Sequence, residues 1–135
     1  MESDVVIDTS AIVAIVTGED HADDLLRMLG TSRRLVGSPT LLEAAMVLIG
    51  RKQLQIEDLT SFLSRIQATI VNFDHHHAEI AIQAFERYGR GRHPAGLNYG
   101  DCMSYAVAKK ANAPLLFVGN DFSQTDIQVP NHDGF

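Results

Sequence analysis

This 135-residue sequence predicts an α/β fold, a short parallel sheet sandwiched between helices. Three observations predict it. Short strand-like runs alternate with segments of helical period. Those runs are apolar throughout, as parallel strands are when both faces are covered. No Gly/Ser/Pro-rich linker divides the chain, and at roughly 150 residues per domain its length matches one domain, residues 1–135.

The elements follow in order. Val5-Val6-Ile7 is a β-branched run that stops at Asp8, and Thr9-Ser10 can cap a short helix over residues 11–16. Residues 21–29 carry Ala22, Leu25, Leu26 and Leu29 at helical spacing, and Gly30 ends that helix. Leu35-Val36 is a strand. Ser38-Pro39 then starts a helix that runs to about Arg51, with proline in its first turn. Residues 56–66 form a helix whose first turn holds Glu57 and Asp58, where the dipole favours anions. A strand over 69–73 leads to Asp74, which caps a helix over 75–88. Residues 89–98 form a glycine-rich loop, 101–110 a helix, and 115–118 a strand; a turn at Gly119-Asn120 precedes a C-terminal segment.

Composition excludes several classes. Hydrophobic residues make up 45% and charged residues 21%, which is incompatible with disorder. No apolar run approaches the ~20 residues of a membrane helix. The start Met-Glu-Ser-Asp lacks the basic and apolar regions of a secretory signal. The single cysteine, Cys102, cannot form an internal disulfide, so a reducing, cytoplasmic setting is expected. The net charge of −6 argues against a protein that simply coats nucleic acid. It leaves open an enzyme whose acids are concentrated in one place.

Four carboxylates stand out by their neighbours. Asp8 ends the first strand and Asp121 lies just past the last, at the carboxyl ends where open α/β sheets bind ligands. Asp101 opens the helix that follows the loop. Glu43 sits in Leu41-Leu42-Glu43-Ala44-Ala45-Met46-Val47-Leu48-Ile49, a helix apolar nearly all round and therefore expected to be buried. A buried carboxylate needs a partner, and no cation lies within a helical turn of Glu43. Taken singly, Asp101 also reads as an ordinary first-turn acid, and Asp8 and Asp121 as loop residues. Clustered together they would require a cation, and hard oxygen ligands select Mg²⁺ or Mn²⁺. Metal-assisted phosphodiester hydrolysis is the reaction class this suggests.

At these residues the chain resembles a known family. The carrying stretches are Val6-Ile-Asp-Thr-Ser-Ala11, Thr40-Leu-Leu-Glu43, Gly96-Leu-Asn-Tyr-Gly-Asp-Cys-Met-Ser-Tyr-Ala-Val-Ala108 and Leu115-Leu-Phe-Val-Gly-Asn-Asp-Phe-Ser-Gln-Thr-Asp126. They are similar to PIN-domain ribonucleases, specifically to VapC-type toxins of bacterial toxin–antitoxin pairs, and the resemblance spans essentially the whole chain. It implies a three-layer α/β/α sandwich with a short, mostly parallel central sheet. It also implies a Mg²⁺ or Mn²⁺ site built from Asp8, Glu43, Asp101 and Asp121. In that site Asp8 and Asp101 would be the primary ligands, and Glu43 and Asp121 would act through water. Thr9 or Ser10 would support the site with a hydroxyl, and Asp126 falls near a further acidic position that varies in the family. The resemblance further implies endoribonuclease activity on structured RNA such as tRNA or rRNA, a homodimer, and inhibition by a VapB-type antitoxin.

Other features have two readings each. Arg87, Arg90, Arg92 and His93 lie in or beside the glycine-rich loop, where they could hold RNA phosphates or form a solvated loop. His75-His76-His77 reads as a polar first turn, since three consecutive helical side chains do not face one way. Tyr105, Phe117, Phe122 and Cys102 read as packing. The alternative function is a catalytically idle PIN-like module working through antitoxin or RNA contacts, which four intact carboxylates disfavour. A haloacid-dehalogenase-like phosphotransferase needs an Asp where Ser10 stands. A receiver domain does not explain Glu43, and a histidine-based ribonuclease lacks a placed histidine pair.

Overall fold

A computed structural model describes residues 3–130. Four strands, β1 (Asp4–Ile7), β2 (Arg33–Gly37), β3 (Thr69–Val71) and β4 (Leu115–Leu116), form one sheet in the order β3-β2-β1-β4. Every neighbouring pair is parallel, and Val6 stands opposite both Leu35 and Leu115. Six α-helices connect the strands: α1 (Thr9–Val16), α2 (Ala22–Leu29), α3 (Ser38–Met46), α4 (Ile56–Arg65), α5 (His75–Tyr88) and α6 (Tyr99–Ala111).

The layers follow from the two-residue period of the strands. Val5, Ile7, Val36 and Leu116 point to one face, where they pack with Ile12 of α1, Leu25 and Leu29 of α2, Ala44 of α3 and Leu59 and Phe62 of α4. Val6, Leu35 and Leu115 point to the other, against Ala84 and Tyr88 of α5 and Cys102, Tyr105 and Val107 of α6. Strands β1, β4 and the second half of β2 are thus covered on both sides by helices, whereas β3 at the sheet edge is left largely exposed. Each fully buried Val, Ile or Leu contributes roughly 1.5–3 kcal/mol. Gly37, at the end of β2, lets α6 approach closely: a Cβ there would stand 2.9 Å from Cγ2 of Val107.

Three local expectations change. The helix over 39–51 is not buried all round. Leu42, Met46 and Ile49 are exposed, Leu42 at 62% and Met46 at 65%, so α3 turns one apolar face outward. Its last turn, Val47–Arg51, widens into a π-helix. The last strand ends at Leu116 rather than Val118, because Val118 directs its backbone N–H out of the sheet to Ser10 Oγ, 3.0 Å away. The strand over 69–73 ends at Val71, and the histidine run beyond it opens α5 as the expected polar first turn. His75 is exposed while His77 is buried, and His77 Nδ1 accepts the Asp74 backbone N–H at 3.0 Å. Burial lowers the pKa of His77, as does Lys110, so the neutral ring serves as a cap for α5.

Candidate functional site

Asp8 is fixed by its position between β1 and α1. It follows Ile7 at the carboxyl end of β1 and is the N-cap of α1, where its side chain accepts the Ser10 backbone N–H. Its Oδ2 also accepts the Ser10 hydroxyl at 2.6 Å, and its Oδ1 accepts the Ser104 hydroxyl at 2.6 Å. Ser104 lies on α6 and is 1% exposed. Its proton goes to Asp8, so Thr40 Oγ1 of α3, 3.3 Å away, donates to Ser104. One carboxylate thereby ties together β1, α1, α3 and α6. Charge-assisted bonds of this kind contribute about 1.5–3 kcal/mol each.

Asp101 is placed by a reciprocal cap. The Asn98 side chain accepts the Asp101 N–H at 2.9 Å, and Asp101 Oδ2 accepts the Asn98 N–H at 3.1 Å. Burial raises its pKa to about 7; the Asn98 N–H acts in the opposite direction, and the neighbouring carboxylates of Asp8 and Asp121 push it further up. Asp121 itself is exposed and stands at the start of the short 3₁₀ turn Phe122–Gln124, within hydrogen-bonding reach of Asp101. Carboxylates from the end of β1 and from the β4 loop therefore both act on Asp101 at the start of α6.

Glu43 faces the same region from α3. It is half-buried, and its partner is a hydroxyl: Thr9 Oγ1 donates to Oε1 at 2.5 Å. Its carboxylate also presses on the first turn of α6, where a Cβ on Gly100 would overlap it. Glu43 and Gly100 line a groove of about 460 Å³ between α3 and α6, with Leu42, Met46, Val47, Tyr99 and Met103 as apolar walls and Arg51 on its margin.

The other candidates fall in different places. Thr9 bonds Glu43, whereas Ser10 bonds Asp8 and receives Val118 N–H. Asp126 lies away from the carboxylates, accepting the Tyr105 hydroxyl at 2.6 Å and Lys109 Nζ at 3.1 Å. Arg87 lies 4.0 Å from Asp126 and stacks over Tyr88. Arg92 donates to the Glu86 carbonyl and lies over Phe85; Arg90 is exposed. Ser104, Thr40, Asn98 and Gly100 lie in the stretches that carry the family resemblance, but none is singled out there as a site residue. The spacing of Ser104, three residues after Asp101, was the available signal, since i and i+3 share a helix face.

Among the described residues no three His, Cys, Asp or Glu side chains form a ready-made chelating group. Hydroxyls occupy oxygens of Asp8 and Glu43. The donor chemistry still fits a hard divalent ion. Every donor is oxygen, the carboxylates of Asp8 and Asp121 both disfavour a second charge on Asp101, and Mg²⁺ is held by only one or two carboxylates while keeping several waters.

Comparison with known proteins agrees with the fold and identifies the family. The PIN domain model matches residues 5–128. Ribonuclease VapC36 of Mycobacterium tuberculosis is 42% identical over 133 residues, covering 96% of each chain. Ribonuclease VapC of Mycolicibacterium smegmatis is 44% identical over 124 residues, covering 90% of this chain and 96% of its own. Among solved structures, Mycobacterium tuberculosis VapC20, described as a sarcin-ricin loop cleaving toxin, superposes with a TM-score of 0.72 at 17% identity, covering 92% of this chain and 96% of its own. A toxin-antitoxin complex from Klebsiella pneumoniae superposes at 0.70 and 17% identity, covering 96% and 99%. With the match to the family model and relatives above 40% identity along nearly the whole chain, this protein belongs to the PIN-domain family, in its VapC ribonuclease branch.

Proposed function

We propose that the chain is a single PIN domain that cleaves structured RNA with Mg²⁺ or Mn²⁺, as the toxin of a toxin–antitoxin pair. The observation that carries this reading is that the carboxylates of Asp8 and Asp121 both act on Asp101 beyond the sheet's carboxyl edge, where burial already disfavours its charge. Asp8 and Asp101 would hold the ion directly, and Glu43 and Asp121 would hold its waters. When bound, the ion would supply a water of lowered pKa and neutralise charge on the scissile phosphate. The protein's own part is orientation. Ser10 and Ser104 fix both oxygens of Asp8, the Asn98 cap fixes Asp101, and Thr9 aims Glu43.

The same reading assigns partners. A VapB-type antitoxin would cover the acids, presenting a basic side chain to them. A second copy would cover the apolar side chains of Leu42 and Met46 on α3. Relatives named as ribonucleases and solved relatives described as a toxin or a toxin-antitoxin complex support the RNA and antitoxin assignments.

The test is RNA cleavage by the purified protein. Cleavage should require Mg²⁺ or Mn²⁺ and vanish in Asp8→Asn and Asp101→Asn while circular dichroism stays unchanged. Activity that survives both EDTA and those substitutions sinks the metal mechanism. Inducing the protein alone in a bacterium should arrest growth and create new RNA 5′ ends. Unchanged growth without new ends would favour an idle binding module.

A further inference from the structure

A second cavity lies between α5 and α6. Its volume is about 440 Å³, and its polar lining is His76, Gln83 and Arg87 of α5 with Tyr105, Lys109 and Lys110 of α6. None of Asp8, Glu43, Asp101 or Asp121 is in that lining. Lys109 lies eight residues beyond Asp101 on α6, about 12 Å of helix rise.

Two carboxylates beside the cavity order its cations. Asp126 accepts from Tyr105 and Lys109 and lies 4.0 Å from Arg87. Burial acts to raise the pKa of Asp126, but the hydrogen bonds from Tyr105 and Lys109 outweigh it and lower the value. It therefore stays ionised and draws together two like charges. Asp74 holds Lys110 Nζ at 2.9 Å in the same way. Three cations against two acids leave the groove positive in a chain whose net charge is −6. An ammonium has three donors and a guanidinium five, so each pairing leaves donors free for another anion.

We propose that this α5–α6 groove is an RNA-backbone exosite, in which Arg87, Lys109 and Lys110 bind phosphates away from the carboxylate site and align the strand for cleavage. The proposal rests on the ribonuclease reading and adds a binding element that reading does not require. A phosphodiester suits the groove better than an acidic peptide. Five of the eight lining residues are charged, amide or imidazole, whereas the exposed apolar side chains that a polypeptide would cover lie outside the groove, Leu42 and Met46 on α3 and Ile82 and Phe85 on α5. Arg87 also leads directly into the loop bearing Arg90 and Arg92, so cations continue from the groove toward the start of α6.

The test measures binding of a labelled mixed-sequence 20-nucleotide RNA in the Asp8→Asn background, with Mg²⁺ present, across a series of salt concentrations. Lys109→Gln with Lys110→Gln should weaken binding on the order of tenfold at 50 mM salt and make the slope of log K against log salt shallower by about 1.4, two contacts at roughly 0.7 each. Lys109→Arg with Lys110→Arg should keep both values near the parent's, which separates charge from folding. With Asp8 restored, the Gln pair should lose RNA cleavage through KM rather than kcat. An unchanged slope in a protein that still cleaves RNA overturns the exosite alone. Groove-dependent binding of polyglutamate, with RNA binding unaffected by the Gln pair, overturns it in favour of an acidic polypeptide. Groove-dependent RNA binding by a parent chain that never cleaves supports the exosite and sinks the ribonuclease reading instead.

Discussion

Asp101 has two structural roles. It closes the N-terminal cap of α6, and it faces Asp8 and Asp121. The second role is costly without a cation. Below the ordinary carboxylate value of 3.8 both folded and unfolded states carry the proton, and the effect vanishes. Between 3.8 and about 7 the folded state holds a proton the unfolded chain has lost, so stability falls as pH rises. Asp101→Asn should therefore raise stability at pH 8 in EDTA, by on the order of 1 kcal/mol once solvent screening at this half-buried group is allowed for. The gain should fade toward pH 4 in thermal melts; a gain that grew with acid would contradict the sign. Gly100 is a second residue with a single physical reason. Its missing side chain is what lets the Glu43 carboxylate reach α6. Alanine is otherwise a better helix former than glycine by about 1 kcal/mol. Gly100→Ala should therefore leave the fold intact yet lower RNA cleavage tenfold or more by moving Glu43. Full activity would show that the position of Glu43 does not matter.

At the scale of elements, the caps differ in what they position. The α6 cap holds a candidate site residue, whereas the α4 cap, in which Asp58 accepts the Gln55 N–H at 2.9 Å, holds only a helix. Asn98→Ala and Asp58→Ala should each cost about 1 kcal/mol. Only Asn98→Ala should reduce cleavage beyond what that loss of stability explains, and equal effects on cleavage would remove the positioning role of Asn98. Element boundaries were largely legible in the sequence. Asp74 and Gly30 mark a start and an end through their own backbone chemistry. The widened turn over Val47–Arg51 and the early end of β4 were not legible. Both depend on what lies across the fold: the Ser10 hydroxyl that takes Val118 N–H is 108 residues away.

For the whole molecule, charge and apolarity are distributed unevenly. Carboxylates gather beyond the sheet's carboxyl edge, cations gather between α5 and α6, and apolar side chains stay exposed on α3. This exposed apolar face is where the proposed second copy would sit. Leu42→Glu with Met46→Glu should convert a dimer to a monomer in analytical ultracentrifugation, roughly halving the mass while leaving the far-ultraviolet spectrum unchanged. A wild-type chain that sediments as a monomer at all concentrations would remove that surface from consideration.

The sequence by itself determined the parallel α/β order, the two faces of each strand and the four acids worth asking about. Those follow from local period, local capping and residue type, which act within a few positions of the chain. Only the tertiary structure decided how the acids are held. Glu43 looked like a charge stranded in a buried helix, and it is in fact half-buried and bonded to Thr9, 34 positions away. Asp8 depends on Ser104, 96 positions away, and Asp126 turns out to organise cations rather than join the acids. Hydroxyls and glycines carry no sequence signature for such roles, because a hydrogen bond or a close approach is a property of two surfaces brought together by folding.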